Sequence, residues 1–177
     1  FFTISDSFSC QPNFCVNFTN CTNPPGGNSY SWTFGTPGAS ILTSNLATPQ
    51  QVCYTGYGRR TVSLTATSTN GCFATITHPV IIDTVQPSFI VQHPQGCAPL
   101  TTTITSNSIV PPGDAITNYR WTSVPPLINQ SGPLLNTITQ TFPTVGCYRV
   151  KLEVTTQQGC TFSRTIDTVC VGRKPVC

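Results

Sequence analysis

The sequence predicts an all-β chain of two tandem β-sandwiches, about seven strands each, stapled by disulfides. Three observations predict it. Tyr148 to Val154 alternates apolar (Tyr148, Val150, Leu152, Val154) with charged residues (Arg149, Lys151, Glu153), the period of two of a half-buried strand. The chain repeats itself at a shift of 87 to 89 residues. Its 177 residues hold ten cysteines, which points to an oxidising compartment and a disulfide framework.

Composition narrows the class further. Charged residues make up only 7%, Met is absent, and polarity comes from Thr, Ser, Asn and Gln. β-branched Thr suits exposed strand positions, and nothing comparably regular recurs at helical spacing. The 16 prolines and 13 glycines are dispersed, as turns between short strands would be. A net charge of +3, spread along the chain, predicts neither nucleic-acid binding nor membrane insertion. Arg59-Arg60 is the basic pair inside a repeat, and an exposed strand edge accounts for it. The sequence shows no signal peptide, membrane-spanning run or lipidation motif. The expectation is a mature chain or an excerpt of a longer one.

The repeat aligns Cys10-Gln11-Pro12 with Cys97-Ala98-Pro99, and Tyr30-Ser31-Trp32-Thr33 with Tyr119-Arg120-Trp121-Thr122. It also aligns Tyr54 with Phe142, Val62-x-Leu64 with Val150-x-Leu152, and Asn70-Gly71-Cys72 with Gln158-Gly159-Cys160. Gln86-Pro87 then separates unit 1 (1–86) from unit 2 (87–174), because proline does not continue a strand ladder. Pro175-Val176-Cys177 falls where a further repeat would begin, or forms a tail.

Within each unit the strands follow in order. A leading strand (Phe2 to Ile4; Phe89 to Val91) runs to the first cysteine. A second follows (Phe14 to Thr19; Leu100 to Thr105), with Phe14, Val16 and Phe18 alternating inward. A Pro/Gly loop (Pro24 to Gly27; Pro111 to Gly113) leads to the tryptophan strand. A variable stretch and another strand (Gln50 to Tyr54; Thr137 to Phe142) precede the alternating strand. The unit closes with a hairpin partner after the second cysteine of the repeat (Cys72; Cys160). Such spacing argues for two packed antiparallel sheets. The expected core anchors are Trp32, Phe34, Val62 and Leu64, with Trp121, Tyr148, Val150 and Leu152 in unit 2.

These motifs resemble the polycystic-kidney-disease (PKD) domain family, an immunoglobulin-like sandwich found in tandem on cell surfaces. The version here is similar to the Bacteroidetes-type one of large secreted adhesins. The residues that carry the resemblance are the Cys-x-Pro strands, Tyr30-Ser31-Trp32-Thr33-Phe34-Gly35, the run Tyr54 to Leu64, and Asn70-Gly71-Cys72, with their second copies. The family's Trp-Asp-Phe-Gly-Asp-Gly has lost both acids here, reading Trp32-Thr33-Phe34-Gly35-Thr36-Pro37. Unit 2 reads Trp121-Thr122-Ser123-Val124, and Arg60 stands where the family prefers an aromatic. The resemblance implies a Cys10–Cys72 and a Cys97–Cys160 disulfide.

Strand facing suggests the other pairs. Cys147 lies on the polar face of its strand, and a four-residue turn from Gln157 to Cys160 would set it opposite Cys170. Cys15 and Cys53 point outward from neighbouring strands and are paired, with Cys21 as an alternative partner for Cys53. Cys21 and Cys177 are left to pair with each other, with an adjoining repeat, or with the next chain of a fibre. Metal is not expected: Cys-x-x-Cys is missing, and His78 and His93 lie far from any cysteine pair in sequence.

No nucleophile–base constellation can be assembled, so the expectation is not an enzyme. No cofactor is expected, apart from calcium at a domain junction drawing on Asp6 or Asp83 with backbone carbonyls. The acids Asp114, Glu153 and Asp167 are scattered. Asn17, Asn20 and Asn129 match the N-glycan acceptor pattern, and Asp83-Thr84-Val85 and Asp167-Thr168-Val169 match an O-glycan triplet; an Asn/Thr-rich chain meets such triplets by chance. The functional expectation is an extracellular structural and adhesive module, the stalk or fibre subunit of a cell-surface adhesin. Its partners would be neighbouring repeats, identical chains, or surface glycans and host surfaces. Ligands would meet the variable stretches Thr36 to Ala47 and Val124 to Leu135. The alternative is a carbohydrate-binding accessory of a secreted hydrolase, using Tyr30, Tyr57 and Phe73.

Overall fold

The computed structural model describes residues 1–23 and 27–174, with the side chains of 167 and 168 left out. The expected loop at Pro24 to Gly26 and the start of a further repeat at Pro175 to Cys177 lie outside the described residues. The chain divides into Phe1–Asp83 and Thr84–Cys177, a few residues ahead of Gln86-Pro87. Every described regular element is a strand.

Unit 1 contains β1 (Phe2–Ile4), β2 (Phe8–Ser9), β3 (Asn13–Val16), β4 (Phe18–Asn20), β5 (Ser29–Thr33), β6 (Thr43–Ser44), β7 (Val52–Thr55), β8 (Gly58–Thr67) and β9 (Phe73–Ile82). β3 and β4 are one strand interrupted at Asn17. There the Asn17 N–H donates to Ser5 Oγ and the Asn17 carbonyl accepts from the Ser5 N–H, both at 3.0 Å. One layer is therefore β1-β4 continued by β3-β7, and the other is β2-β9-β8-β5-β6.

Unit 2 contains β10 (Phe89–Val91), β11 (Gln95–Cys97), β12 (Leu100–Ser106), β13 (Ile116–Val124), β14 (Asn129–Gly132), β15 (Thr137–Phe142), β16 (Gly146–Thr156) and β17 (Thr161–Gly172). Its layers are β10-β12-β15 and β11-β17-β16-β13-β14. All pairings are antiparallel except β2 with β9 and β11 with β17. Each unit is an immunoglobulin-like sandwich with a split first strand.

The alternating strands do what their period requires. In β16, Tyr148, Val150, Leu152 and Val154 are buried; in β8, Val62 and Leu64 are. Trp32 and Trp121 are fully buried. Phe2 meets Trp32 edge-on at 5.0 Å and Phe34 stacks on it at 6.0 Å, while Phe89 meets Trp121 at 5.3 Å. The two cores are separate clusters of the same design.

The closing hairpins turn in the same way. Ser68 N–H donates to the Cys72 carbonyl and Thr156 N–H to that of Cys160, at 2.8 and 2.9 Å. Gly71 (φ 82°) and Gly159 (φ 85°) take the left-handed residue, which is why glycine precedes each cysteine. Unit 1 keeps one register from Gly58↔Ile82 to Thr67↔Phe73. Unit 2 begins at Thr155↔Thr161 and shifts by one at a bulge between Tyr148 and Arg149. The five-residue turn and the bulge together set Cys147 opposite Cys170, in place of the expected four-residue turn.

Candidate functional site: the disulfide framework and the two ends of each unit

Cys15 is joined to Cys53 and Cys147 to Cys170, with Cα–Cα distances of 3.9 and 4.1 Å. Both are directly facing residues of neighbouring antiparallel strands, β3 with β7 and β16 with β17. Outward-facing cysteines at such a narrow pair are already near bonding distance. Disulfides of this kind are made in an oxidising compartment.

The pairings implied by the resemblance do not form: Cys72 and Cys97 are free, exposed thiols. The reason is strand geometry. Cys10 follows β2, whose Ser9 lies beside Ile82 at the far end of β9, whereas Cys72 precedes Phe73 at its start. Ten residues of strand set them roughly 30 Å apart, against the ~7 Å limit for a disulfide. Likewise Cys97 lies beside Gly172, while Cys160 precedes Thr161 at the other end of β17, nearly 40 Å away at ~3.3 Å per residue. Cys10 and Cys160 are themselves disulfide-bonded. Cys21 is a half-buried free thiol, and Cys177 lies outside the described residues.

The same placement defines two ends for each unit. Phe2 pairs with Asn20, and Phe1 lines a shallow groove with Leu64, Ala66, Ala74 and Ile76 beside the start of β9. The chain thus comes in at this leading end and leaves at the opposite, trailing end after Ile82. There β2 runs parallel to β9, and Ile81 and Asp83 N–H groups donate to the Ser7 and Ser9 carbonyls, both at 2.8 Å. Unit 2 repeats the device: Cys170 N–H donates to Pro94 O at 2.8 Å and Ala98 N–H to Gly172 O at 3.0 Å. Cys147–Cys170 bonds β17 to β16 at this point.

Arg60 does not sit at an exposed edge; only 2% of it is accessible, while Arg59 beside it is exposed. Its Nε donates to the Pro37 carbonyl at 3.1 Å. Its Nη1 donates to Gly58 O at 2.8 Å, and its Nη2 to Thr55 and Gly56 O, both at 3.1 Å. The guanidinium lies 5.9 Å from the Tyr54 ring centre. Unit 2 fills the matching slot with Tyr148, its ring tilted against Phe142 at 4.7 Å and its hydroxyl donating to Thr144 O at 3.2 Å. Arg60 and Tyr148 thus play the same part, each tying the turn before the long strand to the core. Burial pushes the Tyr54 phenol up to about 12, against a smaller lowering by Arg60. Its hydroxyl donates to Phe34 O at 3.0 Å.

The two variable stretches are tethered edges. Trp32 Nε1 donates to Leu46 O at 3.0 Å and Trp121 Nε1 to Leu135 O at 2.8 Å. In unit 1 the stretch crosses between layers: Thr55 N–H donates to Gly38 O, and β6 pairs with β5. In unit 2, Ser123 Oγ accepts from the Leu127 and Ile128 N–H groups and donates to Pro125 O. Leu42, Leu46, Val124 and Leu134 remain exposed on these edges.

The aromatics proposed for sugar binding are not brought together. Tyr57 precedes β8 at the trailing end, Phe73 opens β9 at the leading end, and Tyr30 is half-buried against the core. His78 packs edge-on against Phe2 at 4.7 Å, and His93 is exposed. Asp6 Oδ1 accepts from Phe8 N–H, Asp83 is buried, and Asp114 Oδ1 accepts from Ala115 N–H. Glu153 meets Lys151 at 3.2 Å and Arg120 at 3.6 Å. Among the described residues no three His, Cys, Asp or Glu form a metal-holding group. Asn17 and Asn129 are exposed, whereas Asn20 Oδ1 is taken by Thr22. The Asp167 and Thr168 side chains lie outside the described residues.

No family model matches the chain, and no curated protein sequence matches it. Among solved structures, a C-terminal 282-residue fragment of intimin in complex with the intimin-binding domain of its translocated receptor is similar at 13% identity and TM-score 0.48. That likeness covers 95% of this chain and 63% of that one. The fibronectin(III)-like modules of Clostridium thermocellum CbhA are similar at 13% identity and TM-score 0.39, over 98% of this chain and 95% of theirs. Murine CEACAM1b is similar at 14% identity and TM-score 0.41, over 98% of this chain and all of its own. Likeness this distant says nothing about activity, ligand or partner.

Proposed function

We propose that the chain is a load-bearing segment of an extracellular tandem array. It would be a stalk or fibre of the PKD type found in bacterial, Bacteroidetes-type surface adhesins, and not an enzyme. One observation carries the reading: each unit takes the chain in at one end, releases it at the other, and locks its first and last strands as a parallel pair. Tension on the ends pulls β2 against β9, and β11 against β17, along their length. Hydrogen bonds loaded in shear must break together, whereas those of a peeled hairpin break in turn. The disulfides add a second barrier, because a bridged segment cannot lengthen. Adhesive contacts fall to the exposed apolar edges at Leu42, Leu46, Val124 and Leu134.

Single-molecule pulling from residues 1 and 174 tests this. Ile81→Pro deletes the amide that donates to Ser7 O and should lower the rupture force of unit 1 alone. A rupture force unchanged by Ile81→Pro sinks the reading. Reduction should lengthen the released chain by at least about 200 Å, from the 38 and 23 residues enclosed by the two bridges.

A further inference from the structure

Among the described residues Cys72 and Cys97 are the exposed free thiols, and they occupy complementary places. Cys72 sits in the hairpin turn at the leading end of unit 1, next to Phe73, which is 75% exposed, and close to the groove lined by Phe1, Leu64, Ala66, Ala74 and Ile76. Cys97 ends β11 at the trailing end of unit 2, its Sγ making only a long contact of 3.9 Å to Arg173 O. Within their own units both are too far from the matching cysteine to bond. A second observation speaks for chemistry at these places. Their repeat equivalents, Cys160 for Cys72 and Cys10 for Cys97, are disulfide-bonded, so both positions of the repeat are ones where a thiol is oxidised.

We propose that Cys97 of one copy of this chain forms a disulfide with Cys72 of the next, joining trailing end to leading end. The apolar surface around Phe73 and the Phe1 groove receives the incoming end. The oxidant is a small-molecule disulfide. A thiolate from one copy attacks it and releases one small thiol; the second copy's thiolate then attacks the mixed disulfide and releases the other. Two protein thiols lose their protons to the two small thiols, and one S–S bond replaces another. The contact joins unlike surfaces, so a copy bonded through one thiol still offers the other to a further copy. The inference rests on the array reading, and it makes the load path covalent between copies.

The test uses the full chain carrying Cys21→Ser and Cys177→Ser, incubated with oxidised and reduced glutathione and resolved by non-reducing electrophoresis. The expected result is a ladder that reductant collapses. Adding Cys72→Ser, or Cys97→Ser, should leave each protein monomeric alone. Mixing the two should give a dimer and nothing larger, with a Cys72–Cys97 linked peptide in its digest. A parent that stays monomeric, or a single variant that dimerises as readily as the mixture, overturns the proposal. The load-bearing reading is tested separately by pulling on a single chain, so the two can fail independently.

Discussion

Replacing Arg60 puts a buried charge and its repeat counterpart to a direct test. Its guanidinium donates four hydrogen bonds, to the carbonyls of Pro37, Thr55, Gly56 and Gly58. Bonds from a charged donor contribute about 1.5–3 kcal/mol each. Desolvating the guanidinium offsets several kcal/mol of that. Thr55, Gly56 and Gly58 are exposed where β7 turns into β8, so water replaces part of what Arg60→Ala removes. The net loss should be about 3 kcal/mol, confined to unit 1. Arg60→Lys, with a point charge in place of a planar fork, should lose about 2 kcal/mol. Arg60→Tyr should lose about 1 kcal/mol or less, because it reproduces Tyr148 on Phe142 with Tyr54 beneath. Hydrogen exchange of the β8 and β16 amides in denaturant reads both units in one sample. A loss below ~0.5 kcal/mol for Arg60→Ala, as at an ordinary surface position, would refute the reasoning. So would Arg60→Tyr faring no better than Arg60→Ala.

Three further outcomes are expected. Removing Cys147–Cys170 as a double Cys→Ala variant should cost unit 2 about 3 kcal/mol, and removing Cys15–Cys53 should cost unit 1 about 4 kcal/mol, from loops of 23 and 38 residues; equilibrium denaturation measures both. Tyr54 holds its proton to about 12, above the ordinary value near 10. The folded state therefore binds that proton more tightly, and this stability is full below pH 10 and lost as pH rises towards 12. Ultraviolet titration should show a late tyrosine signal that Tyr54→Phe removes. Ser123→Ala strips two N–H groups of their acceptor and should cost about 2 kcal/mol, with faster amide exchange at Leu127 and Ile128.

The alternation in Val62 to Leu64 and Tyr148 to Val154, the tryptophan per repeat and the Gly-Cys turns were legible because strand period and turn chemistry are local. β2 and β11 were not, because each is defined by a distant parallel partner, Ile81 for Phe8 and Cys170 for Gln95. The burial of Arg60 was equally hidden, since its carbonyl partners include Pro37, 23 residues away.

The order of residues alone determined an all-β chain of two like units with Trp32 and Trp121 at their centres, because burial on one face of a strand imposes its period directly. Tertiary structure alone decided which of the expected thiol pairs meet. Cys15 faces Cys53 and Cys147 faces Cys170 across neighbouring strands, whereas Cys10 and Cys72 occupy opposite ends of one sandwich. A disulfide needs closeness to within a few ångströms, and only strand register and direction set that distance.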